Sequence, residues 1–392
     1  MSASATRVLA VASHPIQYQA PWFRRLAAAP QIEFSVLFAQ RPTAKAQGQG
    51  FGIAFEWDVP LLDGYAWRVA HDVSGPGGLG RFFAVRLRDP VGLLRELQPD
   101  VIVLTGWHAW PLVQLLFAAQ SLRIPVVMRG EANALRRRPA WKRRVHRWLL
   151  ARCAACLPIG RASREFYRTN GIGDERLFDA PYFVDNERFA GAAAAVDRGN
   201  ARHRWGIPAD AACFCFAGKF EPKKRLPDLL AAAKLARDHG ATIHLLVVGS
   251  GEEERAAKQF VHDHALPVSF AGFLNQSEIA AAYAACDALV LPSDFGETWG
   301  LVVNEAMACG RAAIVSDRVG CGPDLVLPGE TGEVFPFGDV AALAAAIETL
   351  AVDRAKLAAL GRNAQARVMQ HYNVERAAQG TLAAVRYVTG AA

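Results

Sequence analysis

Residues 288–310 read ALVLPSDFGETWGLVVNEAMACG. The first five, Ala288–Pro292, are a short apolar run of strand type, and a helical pattern begins near Gly300. Between them lies a polar loop, Ser293–Trp299. The free N–H groups at such a helix start form an anion site, and Gly300 lets a phosphate approach the backbone closely. Glu297 precedes the helix and Glu305 lies about two turns inside it. Carboxylates repel a phosphate, so their natural partners are hydroxyl groups, one set on a sugar and one on a ribose. The competing reading makes Glu297 a helix N-terminal charge and Glu305 a solvated surface acid.

Outward from this stretch, short apolar runs alternate with helical patterns almost from end to end. In the second half the expected strands are Ala212–Gly218, Ile243–Gly249, Val268–Gly272, Ala288–Pro292 and Ala312–Ser316. In the first half they are Val8–Ser13, Ile32–Ala39, Val101–Thr105, Ile124–Arg129 and Leu157–Gly160. The rhythm is that of parallel sheets covered by helices on both faces, an α/β fold of two tandem doubly wound domains. Residues 190–200 carry no strand pattern, so the expected domains are 1–190 and 200–371. A cleft between them would face the carboxyl ends of both strand sets, where ligands bind in such sheets. Two further helices are expected in 353–390, with 372–392 packing back on the N-terminal domain. Residues 40–95 are irregular and glycine-rich.

Composition narrows the function. Of the 392 residues 52% are hydrophobic and 21% charged, which is globular rather than disordered. No apolar run reaches the ~18 residues of a spanning helix, and Met1–Ser13 reads as a first strand, not a signal peptide. The net charge of +7 divides unevenly: residues 1–190 hold 25 basic and 15 acidic side chains, and the remainder 19 and 22. Only the first half is expected to attract an anionic surface. The seven cysteines include one lone C-x-x-C at Cys153 and Cys156, without the second pair a zinc site needs. They read as reduced, buried thiols of a cytoplasmic protein.

Around the opening stretch, Gly218-Lys219-Phe220-Glu221-Pro222-Lys223-Lys224-Arg225 follows a strand directly, placing Lys219 and Lys224 to meet a diphosphate unless the loop is merely basic surface. Gly249-Ser250-Gly251 also follows a strand, but it lacks a third glycine and precedes Glu252, Glu253 and Glu254. It therefore fails as a dinucleotide fingerprint and reads as a turn, either lining a base or simply reversing the chain. Residues 212–350 resemble the donor-binding domain of glycosyltransferase family 4 (glycosyl transferases group 1), the retaining enzymes of GT-B fold. The matching runs are GKFEPKK at 218–224, VGSG at 248–251, FAGF at 270–273, LPSDFGETWGLVVNEAMACG at 291–310 and VGCGPDLV at 319–326. The N-terminal half resembles the family's acceptor domain more loosely, through SHPIQYQAPWF at 13–23 and PYFVDNERF at 181–189.

The resemblance implies a sugar transfer, with retention, from a UDP- or GDP-linked donor to a carbohydrate or lipid-linked acceptor in glycan or polysaccharide biosynthesis. Glu305 would hold the ribose and Glu297 the donor sugar, while Lys219 and Lys224 neutralise the diphosphate, helped by the N–H groups of Gly300, Leu301 and Val302. Gly249 and Leu274 would line the nucleotide. No Asp-x-Asp is present, which agrees with the family's usual metal independence; no further cofactor is implied. The sequence also departs from the family. Lys219 stands where arginine is common, His14-Pro15-Ile16-Gln17 where glycines often face the diphosphate, and Arg129-Gly130-Glu131 where relatives carry a histidine. Glu131 is thus a candidate acceptor or sugar contact, or a helix-capping acid. His108, past a strand end, is a base or a plain loop residue, and His14 is similarly placed. Rival readings are a nucleotide-sugar epimerase of the same fold and a non-catalytic nucleotide-sugar-binding, membrane-associated protein.

Residues 135–149, LRRRPAWKRRVHRWL, concentrate the first half's charge. Trp141, Val145, Trp148 and Leu149 recur at helical spacing among basic residues. Such a helix either lies in an anionic membrane surface, placing the protein peripherally at its inner face, or packs its stripe on the sheet with solvated arginines. No nucleic-acid-binding motif accompanies it.

Overall fold

The computed structural model describes residues 5–390 as two compact units. Within the described residues the first comprises 5–47, Ala54–Tyr182 and 374–390, and the second Gly48–Ile53 and Phe183–Asn373.

The first unit carries strands β1 (Thr6–Ala12), β2 (Ile32–Phe38), β3 (Ala66–Val69), β4 (Val73–Ser74), β5 (Arg86–Leu87), β6 (Val101–Leu104), β7 (Val126–Met128) and β8 (Ala155–Cys156). Six of these form a parallel sheet of order β3-β2-β1-β6-β7-β8, with β4 and β5 as a separate antiparallel pair. The second unit carries β9 (Ala212–Ala217), β10 (Ile243–Val248), β11 (Val268–Gly272), β12 (Ala288–Leu291), β13 (Ala312–Ser316) and β14 (Gly332–Phe335), all parallel in the order β11-β10-β9-β12-β13-β14. Helices cover both faces, so every residue of β9, β10, β12 and β13 is buried. Fully burying each aliphatic side chain contributes about 1.5–3 kcal/mol. Phe214, Phe216, Leu245, Val247, Val290 and Ile314 form the centre of that core with Leu229, Leu230 and Ile347 from the helices.

Both sheets reverse strand order at their middle, between β1 and β6 and between β9 and β12. Loops diverge at such a point and leave room for a ligand at the carboxyl ends.

The boundary between units falls at Tyr182/Phe183 rather than across 190–200. Phe183, Val184 and Phe189 are buried, and Asn186 Nδ2 donates to the carbonyls of Val368 and Tyr372, each at 3.0 Å. These contacts anchor the helix Asn186–Ala194 in the second unit. The expected linker is helical instead: Asp197 caps a helix Arg198–Arg204 by accepting from Asn200 N–H at 2.8 Å. The buried Arg202 there donates to the carbonyls of Ala285 and Ala211 at 3.2 and 2.7 Å. At the other end, the helix Val374–Thr389 belongs to the first unit and packs on the helix Ala20–Ala27.

One strand expectation shifts, and the edge strand β14 was not expected. The run Leu157–Gly160 follows β8 rather than forming a strand. The edge strand β14 carries no apolar run, and its Gly332 is set by close approach, since a Cβ there would lie 1.9 Å from Ala313 O. All seven cysteines are buried free thiols.

Candidate active site

In the second unit the loops after β9, β10 and β12 carry the predicted donor residues. Gly218 and Gly249 close the first two loops on each other. Gly249 has φ of 128°, and a Cβ on it would come 1.9 Å from Gly218 O. That spacing only glycine permits. The next turn places Lys224 on a short 3-10 segment, Pro222–Lys224, where its ammonium pairs with Glu297 Oε2. Both side chains are largely buried, so removal of either leaves a charge in a poorly solvated place.

The loop Ser293–Trp299 is held by a second loop beside it. Gly320 N–H donates to Glu297 O at 3.1 Å and Cys321 N–H to Trp299 O at 2.8 Å. A Cβ on Gly320 would meet Thr298 O at 1.8 Å. Gly300, with φ of 105°, then opens the helix Leu301–Ala308. Leu301 and Val302 belong to its first turn, whose N–H groups have no partner within the helix. Trp299 Nε1 donates to Asn304 Oδ1 at 2.8 Å and clamps the loop onto that helix.

Glu305 is 5% exposed, which removes the solvated-acid reading. Tyr283 OH donates to its Oε2 at 2.7 Å and Gln276 Nε2 reaches its Oε1 at 3.5 Å. Arg188 in turn donates to Gln276 Oε1 at 2.6 Å. Burial raises the Glu305 pKa, and the bonds from Tyr283 and Gln276 oppose that shift. Tyr283, Gln276 and Arg188 are absent from the sequence-based site. Tyr283 sits in an alanine-rich helix and Arg188 is some hundred residues distant in sequence, so only packing reveals this chain of donors.

Lys219 does not stand open at the strand end. Its Nζ donates to Gln49 O at 3.0 Å and lies 5.1 Å from the centre of the Phe51 ring. Phe51 stacks edge-on against Phe273 at 5.0 Å, and its carbonyl accepts from Ser250 Oγ at 2.6 Å. The glycine-rich segment Gly48–Ile53 therefore lies over the loops after β9, β10 and β11. Desolvation lowers the Lys219 pKa. Leu274, just past β11, is buried.

In the first unit, Ser13 after β1 and His108 after β6 flank the reversal of strand order. Ser13 Oγ lies 2.9 Å from His14 Nδ1 and 3.1 Å from His108 Nε2. Burial, reinforced by His108, lowers the His14 pKa to about 4, so His14 is neutral at pH 7. Tyr182 OH donates to Glu131 Oε1, giving Glu131 a specific partner rather than a capping role. The buried Arg129 stacks between Trp22 and Tyr182, 4.8 Å from each ring centre.

Residues 197–367, which contain the Lys224–Glu297 pair and Glu305, match the family model described as "Glycosyl transferases group 1". This stretch is similar to that glycosyltransferase family. The glycogen synthase of Mycobacterium tuberculosis is 29% identical over 304 residues, 74% of this chain and 69% of that enzyme. The D-inositol 3-phosphate glycosyltransferase of Streptomyces bingchenggensis is 35% identical over 232 residues, 55% of this chain and about half (49%) of its own length. Among solved structures, Anabaena Alr3699/HepE in complex with UDP and glucose superposes with a TM-score of 0.72 at 20% identity, covering 97% of this chain and 99% of that one. The chain thus has the two doubly wound units of the GT-B fold.

Proposed function

We propose that this protein is a glycosyltransferase that takes its sugar from a UDP- or GDP-linked donor and transfers it, with retention and without a metal ion, to a glycan or lipid-linked acceptor in glycan or polysaccharide biosynthesis. The observation that carries this reading is the juxtaposition, at the reversal of strand order in the second unit, of the Lys224–Glu297 pair with a helix N-terminus and the buried Glu305.

The roles follow from the charges. A diphosphate takes Glu297's place on Lys224 and gains Lys219 once the Gln49 carbonyl is displaced. Glu297, so released, accepts from the donor sugar's hydroxyls, and Glu305 accepts from the ribose. The sugar's anomeric carbon loses its bond to the diphosphate oxygen and gains one to the acceptor oxygen on the same face. The acceptor's proton leaves with the diphosphate. No protein nucleophile enters, and the lysines with the Gly300, Leu301 and Val302 N–H groups stabilise the charge that develops on the leaving group. The first unit supplies the acceptor side, with Glu131 and His108 as candidate contacts. The enzyme works in the cytoplasm at the inner face of a membrane, which residues 135–149 meet.

Incubation with UDP- and GDP-sugars in EDTA, with and without glycan or lipid-linked acceptors, tests the reading. Acceptor-dependent release of nucleoside diphosphate and a product of unchanged anomeric configuration are expected. Isomerised donor without release, or transfer only after a divalent cation is restored, contradicts it.

A further inference from the structure

The helix Ala140–Leu150 does not place its apolar stripe on the sheet. Leu149 and Leu150 are buried, and His146 packs against Trp107 and Phe166 at 5.6 and 5.4 Å. Trp141, Val145 and Trp148 fall on the other side of the helix, with 61, 45 and 50% of their surfaces exposed. Positions 141, 145 and 148 share a face by the i, i+4, i+7 rule.

This face continues beyond the basic helix. Trp148 packs on Phe117 at 5.4 Å, and Phe117 lies two turns along its own helix, Trp110–Ser121, from Trp110. Phe82 and Phe83 stack on Trp110 at 5.9 and 5.6 Å, and Trp110 N–H donates to Phe82 O at 2.8 Å. Phe83 is 68% exposed. A row of aromatic side chains from two helices and one loop thus faces outward on the first unit. Arginines border it: Arg81, Arg136, Arg137, Arg143 and Arg144 are exposed, and none of the last four forms an ion pair among the described residues. Residues 135–152 contain no acidic side chain.

We infer that this aromatic row inserts into the interface of a bilayer bearing anionic lipids, with Phe83 and Trp148 as its anchors and the arginines on the headgroups. Exposed aromatics in a contiguous row are costly in water and favoured at the acyl–headgroup boundary. Unpaired arginines on the same surface supply the charge complementarity. The insertion adds the 82–83 loop and the Trp110–Ser121 helix to the contact that charge alone assigns to residues 135–149. It rests on the membrane half of the proposed function and not on the chemistry, so binding is measured without nucleotide sugar, and sugar transfer is scored separately on a soluble acceptor.

The full chain is co-sedimented with vesicles of mixed phosphatidylglycerol and phosphatidylcholine and with pure phosphatidylcholine, at low and high salt. Binding to the anionic vesicles is expected, weakened by salt. Phe83→Ala with Trp148→Ala should lower it about tenfold or more, as should Arg143→Glu with Arg144→Glu. All four are surface positions, so melting temperatures should be unchanged. Absence of binding overturns the inference. So does anionic binding that ignores the aromatic substitutions, or duplex DNA bound as tightly as the vesicles.

Discussion

Lys224 and Glu297 pair as two largely buried opposite charges, and in the proposed mechanism each exchanges this partner for a part of the donor. Lys224→Ala should lower kcat/KM for sugar transfer about 10²–10³-fold, the scale of losing one electrostatic contact to a developing charge. Steady-state kinetics check this. Lys224→Met, which keeps most of the volume, should do the same if charge rather than packing is at stake. Histidines set a pH dependence of stability. His14 and His244 both have pKa values lowered to about 4, chiefly by burial, against ~6.5 in an unfolded chain. Between those values the unfolded state binds protons the folded state refuses, so stability falls as pH falls from about 7 to 4. His244, hydrogen-bonded to Ser269 Oγ at 2.9 Å, is the more buried. His244→Gln should flatten the decline by about 1–3 kcal/mol, read as the pH slope of chemical-denaturation midpoints. At this scale the sequence marked Lys224, Glu297 and Glu305 as candidates, because a strand end followed by a helix start leaves little freedom to the residues between. It did not show Tyr283 and Gln276, which reach Glu305 from separate elements, or Arg188, which holds Gln276.

The apolar strands of the second unit were legible nearly to their ends, since strands buried on both faces carry continuous apolar runs. Edge strands β3 and β14 were not, because an exposed or half-exposed strand of four residues has little pattern to read. The basic helix shows the opposite failure. Its periodicity was correct, yet periodicity does not say whether a stripe faces protein or another medium, and Trp141, Val145 and Trp148 face outward. Loop contacts were also hidden. Nothing in the glycines of 48–52 indicates that Gln49 and Phe51 engage Lys219, whereas Gly320 has a plain reason. A Cβ at Gly320 would meet backbone rather than a yielding side chain. Gly320→Ala should displace the 293–299 loop, cost roughly 2 kcal/mol or more, and raise KM for the donor. Thermal melts and kinetics on the same preparation check both effects.

At the scale of the whole molecule, two independent cores share one chain that enters the first, fills the second and returns to the first through Val374–Thr389. That return depends on Gly380, where a Cβ would lie 2.0 Å from Asp179 O, more than on the exposed Arg25–Glu375 ion pair. Gly380→Val should therefore lower the melting of the first unit, while nucleotide binding by the second survives. Calorimetric scans with and without UDP separate the two. Charge divides in the same way: the first half's excess of arginine borders an outward aromatic row, and the second half is slightly acidic, with a few lysines in the proposed site. The central claim is that these lysines and Glu305 hold a nucleoside diphosphate without a metal ion. Titration calorimetry of UDP and of GDP in EDTA, on the wild-type chain and on Lys224→Ala and Glu305→Ala, tests it most directly. One nucleotide should bind the wild type and lose at least about tenfold in affinity in each variant. Binding that requires added metal, or that both variants retain in full, would contradict it.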